Sequence, residues 1–161
     1  MELKTCCFTG HRILSEVARE ELAAILDRRL AALAGIGFTE FRTGGALGFD
    51  TLAAERVLVL CETHPACRLH LILPCRDQDK NWNARERAVF ASIKERAHSV
   101  RYLRDTYSPD CMHARNRALV DGADLCLAYL KASCGGTLYT CTYALKQGVR
   151  LINLAEEMTQ V

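Results

Sequence analysis

The sequence predicts an α/β fold: a mostly parallel sheet of about six strands with helices on both faces. Three observations carry that expectation. Short apolar runs alternate with longer segments of helical period from one end of the chain to the other. One of these runs, Asp124 to Leu130, is nearly all apolar, as a strand covered on both faces should be. The 161 residues, 50% hydrophobic and 25% charged, suit one domain with a sizeable core. No linker or internal repeat interrupts the alternation, so residues 1–161 are read as a single domain.

Thr5 to Thr9 is the first strand. A helix from Ser15 to Ala34 follows, with Leu22, Ile25, Leu26, Leu30 and Leu33 as its apolar stripe, Ser15 as its cap and Gly35 as its stop. Phe38 to Thr43 is the second strand, and Phe49 to Cys61 the second helix. Leu69 to Leu73 is the third strand, stopped by Pro74. Asn83 and Glu86 have the spacing of a capping box for a third helix running through Ala97. His98 to Leu103 is a weaker strand. Ser108-Pro109 opens a fourth helix that Gly122 closes. After Asp124 to Leu130 comes a fifth helix, Thr137 to Gln147, ended by Gly148, and then a last strand, Val149 to Leu154.

In open α/β sheets ligands bind beyond the carboxyl ends of the strands, so the loops after strands are where function is sought. The first holds Gly10, His11 and Arg12, a turn residue and two donors. The second, Thr43-Gly44-Gly45-Ala46-Leu47-Gly48-Phe49-Asp50, leads three glycines into a helix. Glycine lets backbone approach a ligand, and a helix N-terminus offers free N–H groups to an anion. The spacing is neither a Walker A loop nor G-x-G-x-x-G. Asp50 either caps that helix or accepts hydrogen bonds from a ribose or base. The third loop is charged, with Trp82 read as a packing residue beneath it. In the fourth helix Asn116 shares a stripe with Met112, Leu119 and Val120, and Arg115 borders it; a buried amide there needs partners. Ser133-Cys134-Gly135-Gly136-Thr137 is a second glycine loop opening a helix. Two such loops on one sheet point to a nucleotide or phosphate site. Tyr139 and Tyr143 are read as packing or surface residues.

A net charge of +2 implies no bulk attraction to nucleic acid or membrane. No apolar run approaches the ~20 residues of a membrane span. The opening Met1-Glu2-Leu3-Lys4 does not resemble a secretory leader, so a cytoplasmic location is expected. The nine cysteines are odd in number, contain no C-x-x-C pair, and lie partly in apolar runs (Cys6, Cys7, Cys61, Cys126). Cys111-x-His113 has no further ligands near it. Reduced, structural thiols are expected, with no metal and no cofactor.

The segments TGHR, TGGALGFDTLAAE, ARNRALVDGAD and GGTLYTCTYALKQGV, in that order across nearly the whole chain, resemble the SLOG superfamily of Rossmann-like proteins, its YpsA-like branch above all. GGALGFDTLAAE and RNRALVDGAD also resemble the DNA-processing DprA family, and GGT before a helix resembles the LOG-type phosphoribohydrolases. The resemblance implies a doubly wound, Rossmann-like domain binding a nucleotide or nucleotide-derived ligand. Matched residue by residue, it implies contacts from Gly10, Gly44, Gly45, Gly48, Asp50, Arg115, Asn116, Gly135, Gly136 and Thr137, to which His11, Arg12 and Ser133 are added as loop donors. The phosphoribohydrolases carry a catalytic Glu three residues after the Thr of that loop; here the position is Thr140, so that activity is not carried over.

The leading expectation is a binder, a sensor, of a nucleotide-type small molecule. The alternative is a hydrolase of an N-glycosidic or phosphate-linked bond, with Asp50, Glu55 and His11 as its candidate acid–base groups. A second alternative is single-strand nucleic-acid binding along Arg76, Lys80, Arg85 and Arg115. Nucleic acid and membrane are not expected as partners, and self-association is left open.

Overall fold

The computed structural model describes residues 3–159, so Met1 and Glu2, part of the opening read above for a leader, lie outside it. Among the described residues six parallel strands form one sheet: β1 Lys4–Gly10, β2 Phe38–Thr43, β3 Arg68–Cys75, β4 Ser99–Arg104, β5 Leu125–Tyr129 and β6 Arg150–Asn153, in the order β4-β3-β2-β1-β5-β6. The helices are α1 Glu16–Gly35, α2 Phe49–Thr63, α3 Ala84–Arg96, α4 Cys111–Val120 and α5 Gly136–Lys146. The expected α/β, Rossmann-like, doubly wound architecture is therefore the observed one.

Strand periodicity divides the core. Cys6 and Phe8 of β1 face a large cluster with α1, α2 and α3, joined by Phe41, Leu69, Leu71 and Leu127. Cys7, Ile72 and Cys126 face the opposite side, where Leu119 and Val120 of α4 and Ala144 of α5 cover them. Alternate residues of one strand thus serve two helical layers. Among the described residues no helix is long and apolar enough to cross a membrane.

Local signals set most boundaries. Ser15 Oγ accepts from Ala18 N at 3.1 Å, and the predicted α1 stripe is the buried one. Asn83 and Glu86 form the reciprocal capping box. Gly122 follows α4 at φ +78°.

Several boundaries differ from expectation, and four have a plain structural cause. Gly35 stays helical, and the left-handed residue that turns the chain is Gly37 at φ +99°. Pro74 does not stop β3, because β2 pairs with β3 only as far as Leu71; beyond it no β2 ladder loses a donor to the proline. Ser108 and Pro109 belong to a turn, closed by Cys111 N donating to Ser108 O, and α4 begins at Cys111. Leu154 lies in a closing 3-10 turn, Leu154–Glu157, rather than in β6, where Asn153 Oδ1 accepts from Ala155 N.

The chain moves outward from β1 to β4, then returns to place β5 beside β1. The strand order reverses there, with Thr9 opposite Ala128 and Gly10 opposite Tyr129. This is the position at which a sheet of this kind opens a crevice.

Candidate functional site

A pocket of about 300 Å³ lies at that reversal. The end of β1 gives it Thr9, Gly10, His11 and Arg12; the β2–α2 loop and α2 give Ala46 and Asp50. Met112, His113, Arg115, Asn116 and Leu119 of α4 form a wall, and Gly136 and Thr137 open α5 into it. Of the thirteen residues expected at a ligand, this brings together Gly10, His11, Arg12, Asp50, Arg115, Asn116, Gly136 and Thr137.

Gly44, Gly45, Gly48, Ser133 and Gly135 do not line it. Gly44 gives way to the Arg115 side chain, whose Nη1 donates to Gly44 O at 2.5 Å. Gly45, at φ +70°, turns toward Leu73, which a Cβ would meet at 2.5 Å. Gly48, at φ +78°, lets the β1–α1 loop pack on the start of α2: a Cβ would overlap the Arg12 carbonyl, and Phe49 N donates to His11 O at 3.0 Å. Ser133 is exposed on the loop before α5, and Gly135 is the N-cap of α5 at φ +101°.

Asp50 is 5% exposed. Its Oδ2 accepts from Ala46 N at 3.3 Å, so it braces the glycine loop while facing the pocket. Burial raises its pKa to about 6, against the opposing pull of Arg115, the Ala46 N–H and Arg12. Arg115, 4% exposed, is pushed down by burial and held up by Asp50. Its Nε donates to Asn116 Oδ1 at 2.8 Å. This guanidinium therefore clamps the β2–α2 loop to α4, and it does not lie in an open basic groove.

Asn116 is 8% exposed. Its oxygen is engaged by Arg115, while its Nδ2 makes no hydrogen bond among the described residues. That nitrogen stands 3.9 Å from where a Cβ of Gly136 would be. A pocket-facing donor and the free amides of a helix start thus meet in one place.

His11 is not a free donor at Nε2, which accepts from Lys131 N at 2.8 Å. That bond staples the β1–α1 loop to the β5–α5 loop and needs the neutral ring; burial and Lys131 both lower its pKa. Thr140 is buried and donates back to Gly136 O at 2.9 Å. Glu55 and Arg85 lie elsewhere, in a larger cleft of about 720 Å³ on the far side of Arg12. Among the described residues no group of three His, Cys, Asp or Glu side chains has a metal-binding arrangement.

Sequence reasoning missed Met112 and His113. The signal was present, since both share a face of α4 with Asn116. His113 stacks on Tyr139 of α5, centroids 4.0 Å apart and planes 7° off parallel, and Arg117 donates to the Tyr139 hydroxyl.

Comparison with known proteins gives the family and the fold. The YpsA family model, described as "YspA SLOG family", matches residues 15–150. A UPF0398 protein of Bacillus pumilus is 32% identical over 115 residues, covering 70% of this chain. The chain spans 62% of that relative's length. The SPbeta prophage-derived protein YoqJ of Bacillus subtilis is 28% identical over 118 residues, 66% of this chain and 69% of YoqJ. Among solved structures, DNA processing protein A of Helicobacter pylori, described for its single-stranded DNA binding mode, superposes with a TM-score of 0.66 at 20% identity, over 92% of this chain and 63% of that one. DprA of Streptococcus pneumoniae gives 0.66 at 15%, over 92% and 49%. At these identities the likeness is one of fold. The expectation that nucleic acid is not a partner receives no support from such neighbours.

Proposed function

This chain belongs to the YpsA SLOG family, and from that premise we propose that residues 1–161 act as one domain that binds a nucleotide-type small molecule at the β1/β5 crevice. The ligand's phosphate sits on the N-terminus of α5. The observation that carries this reading is the Nδ2 of Asn116, which makes no hydrogen bond among the described residues and reaches the pocket beside Gly136. That donor is free to give to a ligand, and a phosphate oxygen there would also take the Gly136 and Thr137 amides. Arg12 adds charge at the rim. A cytoplasmic sensor that reports the ligand by changing its own state is the role that fits a binder of this kind.

Calorimetry with nucleoside mono-, di- and triphosphates, nicotinamide dinucleotide and ADP-ribose tests it. At least one should bind, and Asn116→Asp, which keeps the acceptor for Arg115 but replaces the donor with a negative oxygen, should weaken it tenfold or more. Unaltered affinity in that variant would place the ligand elsewhere.

The hydrolase reading keeps one observation in its favour, a pocket carboxylate, Asp50, that titrates near pH 6. Chromatography of the nucleotides after incubation decides it: release of base or phosphate, lost in Asp50→Asn, is the outcome that would support turnover. For a nucleic-acid role, three of the four basic residues considered are engaged: Arg115 with Gly44 and Asn116, Arg76 with Asp105, and Lys80 with Asp77. Steep salt dependence of oligonucleotide binding would favour that role.

A further inference from the structure

We propose that the ligand is a nucleoside 5′-phosphate whose base occupies a second lobe of the site, over the end of β3 and lined by Trp82 and Tyr107. The proposal rests on the reading of the first lobe as the phosphate site. The second lobe measures about 310 Å³ and shares Arg12, Ala46 and Met112 with the first. Those three residues form the rim between the lobes, which is where a ribose would lie. Each lobe is at the small end of the ~300–1,000 Å³ of ligand clefts, and one molecule spanning both would be well enclosed.

The lobe is constructed by cross-links between separate loops. Arg76 N donates to Asp105 O at 3.2 Å and its Nε to the Asp105 carboxylate, and Tyr107 N donates to Asp77 Oδ1 at 3.1 Å, tying the β3–α3 loop to the β4–α4 loop. Gln78 Nε2 donates to Gly45 O at 3.0 Å, tying the same loop to the β2–α2 glycines. The Trp82 ring is held against Phe90, centroids 5.1 Å apart. The lobe's shape is thereby set before any ligand arrives.

Its chemistry selects a flat, uncharged group. The cation within it, Lys80, is paired with Asp77 at 3.8 Å. The remaining cation, Arg12, stands on the rim. Trp82, Tyr107, Met112 and Leu47 offer apolar and aromatic surface, and the Gln78 carbonyl oxygen and the Asn81 amide offer partners to a heteroaromatic ring. A second phosphate would find no unpaired charge inside the lobe; a nucleobase would find stacking and hydrogen-bonding partners.

Trp82 is the single tryptophan, so intrinsic fluorescence excited where only tryptophan absorbs reads this lobe directly. The experiment titrates the protein with the four common nucleoside 5′-monophosphates and with ribose 5-phosphate, following calorimetry and Trp82 emission together. The expected result is that one or more of the monophosphates binds at least tenfold more tightly than ribose 5-phosphate and changes Trp82 emission, which ribose 5-phosphate leaves unaltered. Tyr107→Ala, at a side chain 60% exposed and so without cost to the fold, should bring that monophosphate down toward the affinity of ribose 5-phosphate. Equal affinities with silent Trp82 would overturn the second lobe and leave the phosphate site standing. A Trp82 response to a monophosphate that persists in Asn116→Asp at unchanged affinity would support the base lobe while removing the phosphate reading. No binding of any of these probes would overturn both.

Discussion

Asn116 is the residue at which pattern and chemistry met. Its place on an apolar stripe predicted burial and a need for partners, and the structure supplies one partner for its oxygen and, among the described residues, none for its nitrogen. Two substitutions separate these halves. Asn116→Leu leaves Arg115 Nε without its acceptor, so chemical denaturation should show a loss of ~1–3 kcal/mol. Asn116→Asp keeps that acceptor, and its unfolding midpoint should stay close to wild type while ligand binding falls. Equal destabilisation by both would mean that the amide nitrogen, too, is structural.

Asp50 makes a pH prediction of definite sign. Its pKa rises from 3.8 to about 6 on folding, so the folded state holds the proton more tightly. Stability from this group is fully present below pH ~4 and is lost as the pH rises through about 6. Asp50→Asn keeps an oxygen for Ala46 N without the buried charge. It should be more stable than wild type at pH 8 by ~1–3 kcal/mol, with the advantage gone near pH 4. A pH-independent difference would show that Arg115 compensates the carboxylate in full. The sequence left Asp50 between capping α2 and serving a ligand; in the structure its carboxylate accepts from Ala46 N of the preceding loop rather than from a helix amide, and it also lines the pocket, a placement no periodicity could have shown.

At the scale of elements, the two glycine loops looked alike in sequence and are different in space. The β2–α2 loop spends its glycines on packing: Arg115 lies against Gly44, Leu73 against Gly45 and the Arg12 carbonyl against Gly48. These contacts are long-range, and nothing local in the sequence announces them. The loop before α5 is different. Gly136 has no left-handed φ, and an added Cβ would meet only Asn116 Nδ2, at an ordinary 3.9 Å. Gly136→Ala should therefore fold as well as wild type, or better by up to ~1 kcal/mol from helix propensity, and still lose ligand affinity tenfold, because the methyl group occupies the space of the phosphate. Thermal shift with and without ligand checks both halves. The helix and strand cores were legible because periodicity and caps are local. Pro74 and the start of α4 were misplaced because the end of β2 and the turn at Ser108 decide them.

Over the whole molecule, the order β4-β3-β2-β1-β5-β6 creates the crevice; alternation of strands and helices made the parallel, doubly wound sheet readable in the sequence, but not that order. The position of α4 across the crevice was not readable, which is why Met112 and His113 were seen in the sequence but not assigned to the site. The thiols follow the same layering. Cys6, Cys7, Cys67, Cys75, Cys111, Cys126 and Cys141 are buried, Cys61 is intermediate and Cys134 is exposed. Burial also raises the pKa of Cys6, Cys61, Cys67, Cys75 and Cys141. Thiol labelling of the native protein should mark Cys134 first, then Cys61 slowly, and the rest only in denaturant. Early labelling of Cys75 or Cys111 would mean that the β3 end opens in solution.

The most direct measurement of the central claim is an amide-resolved NMR titration with whichever nucleotide calorimetry finds to bind. Saturable shifts should concentrate on the Gly136 and Thr137 backbone amides and on the Asn116 side-chain NH₂, with the same apparent affinity as calorimetry. Saturable binding that leaves those three signals unmoved, with shifts confined to the larger cleft around Glu55 and Arg85, would contradict it.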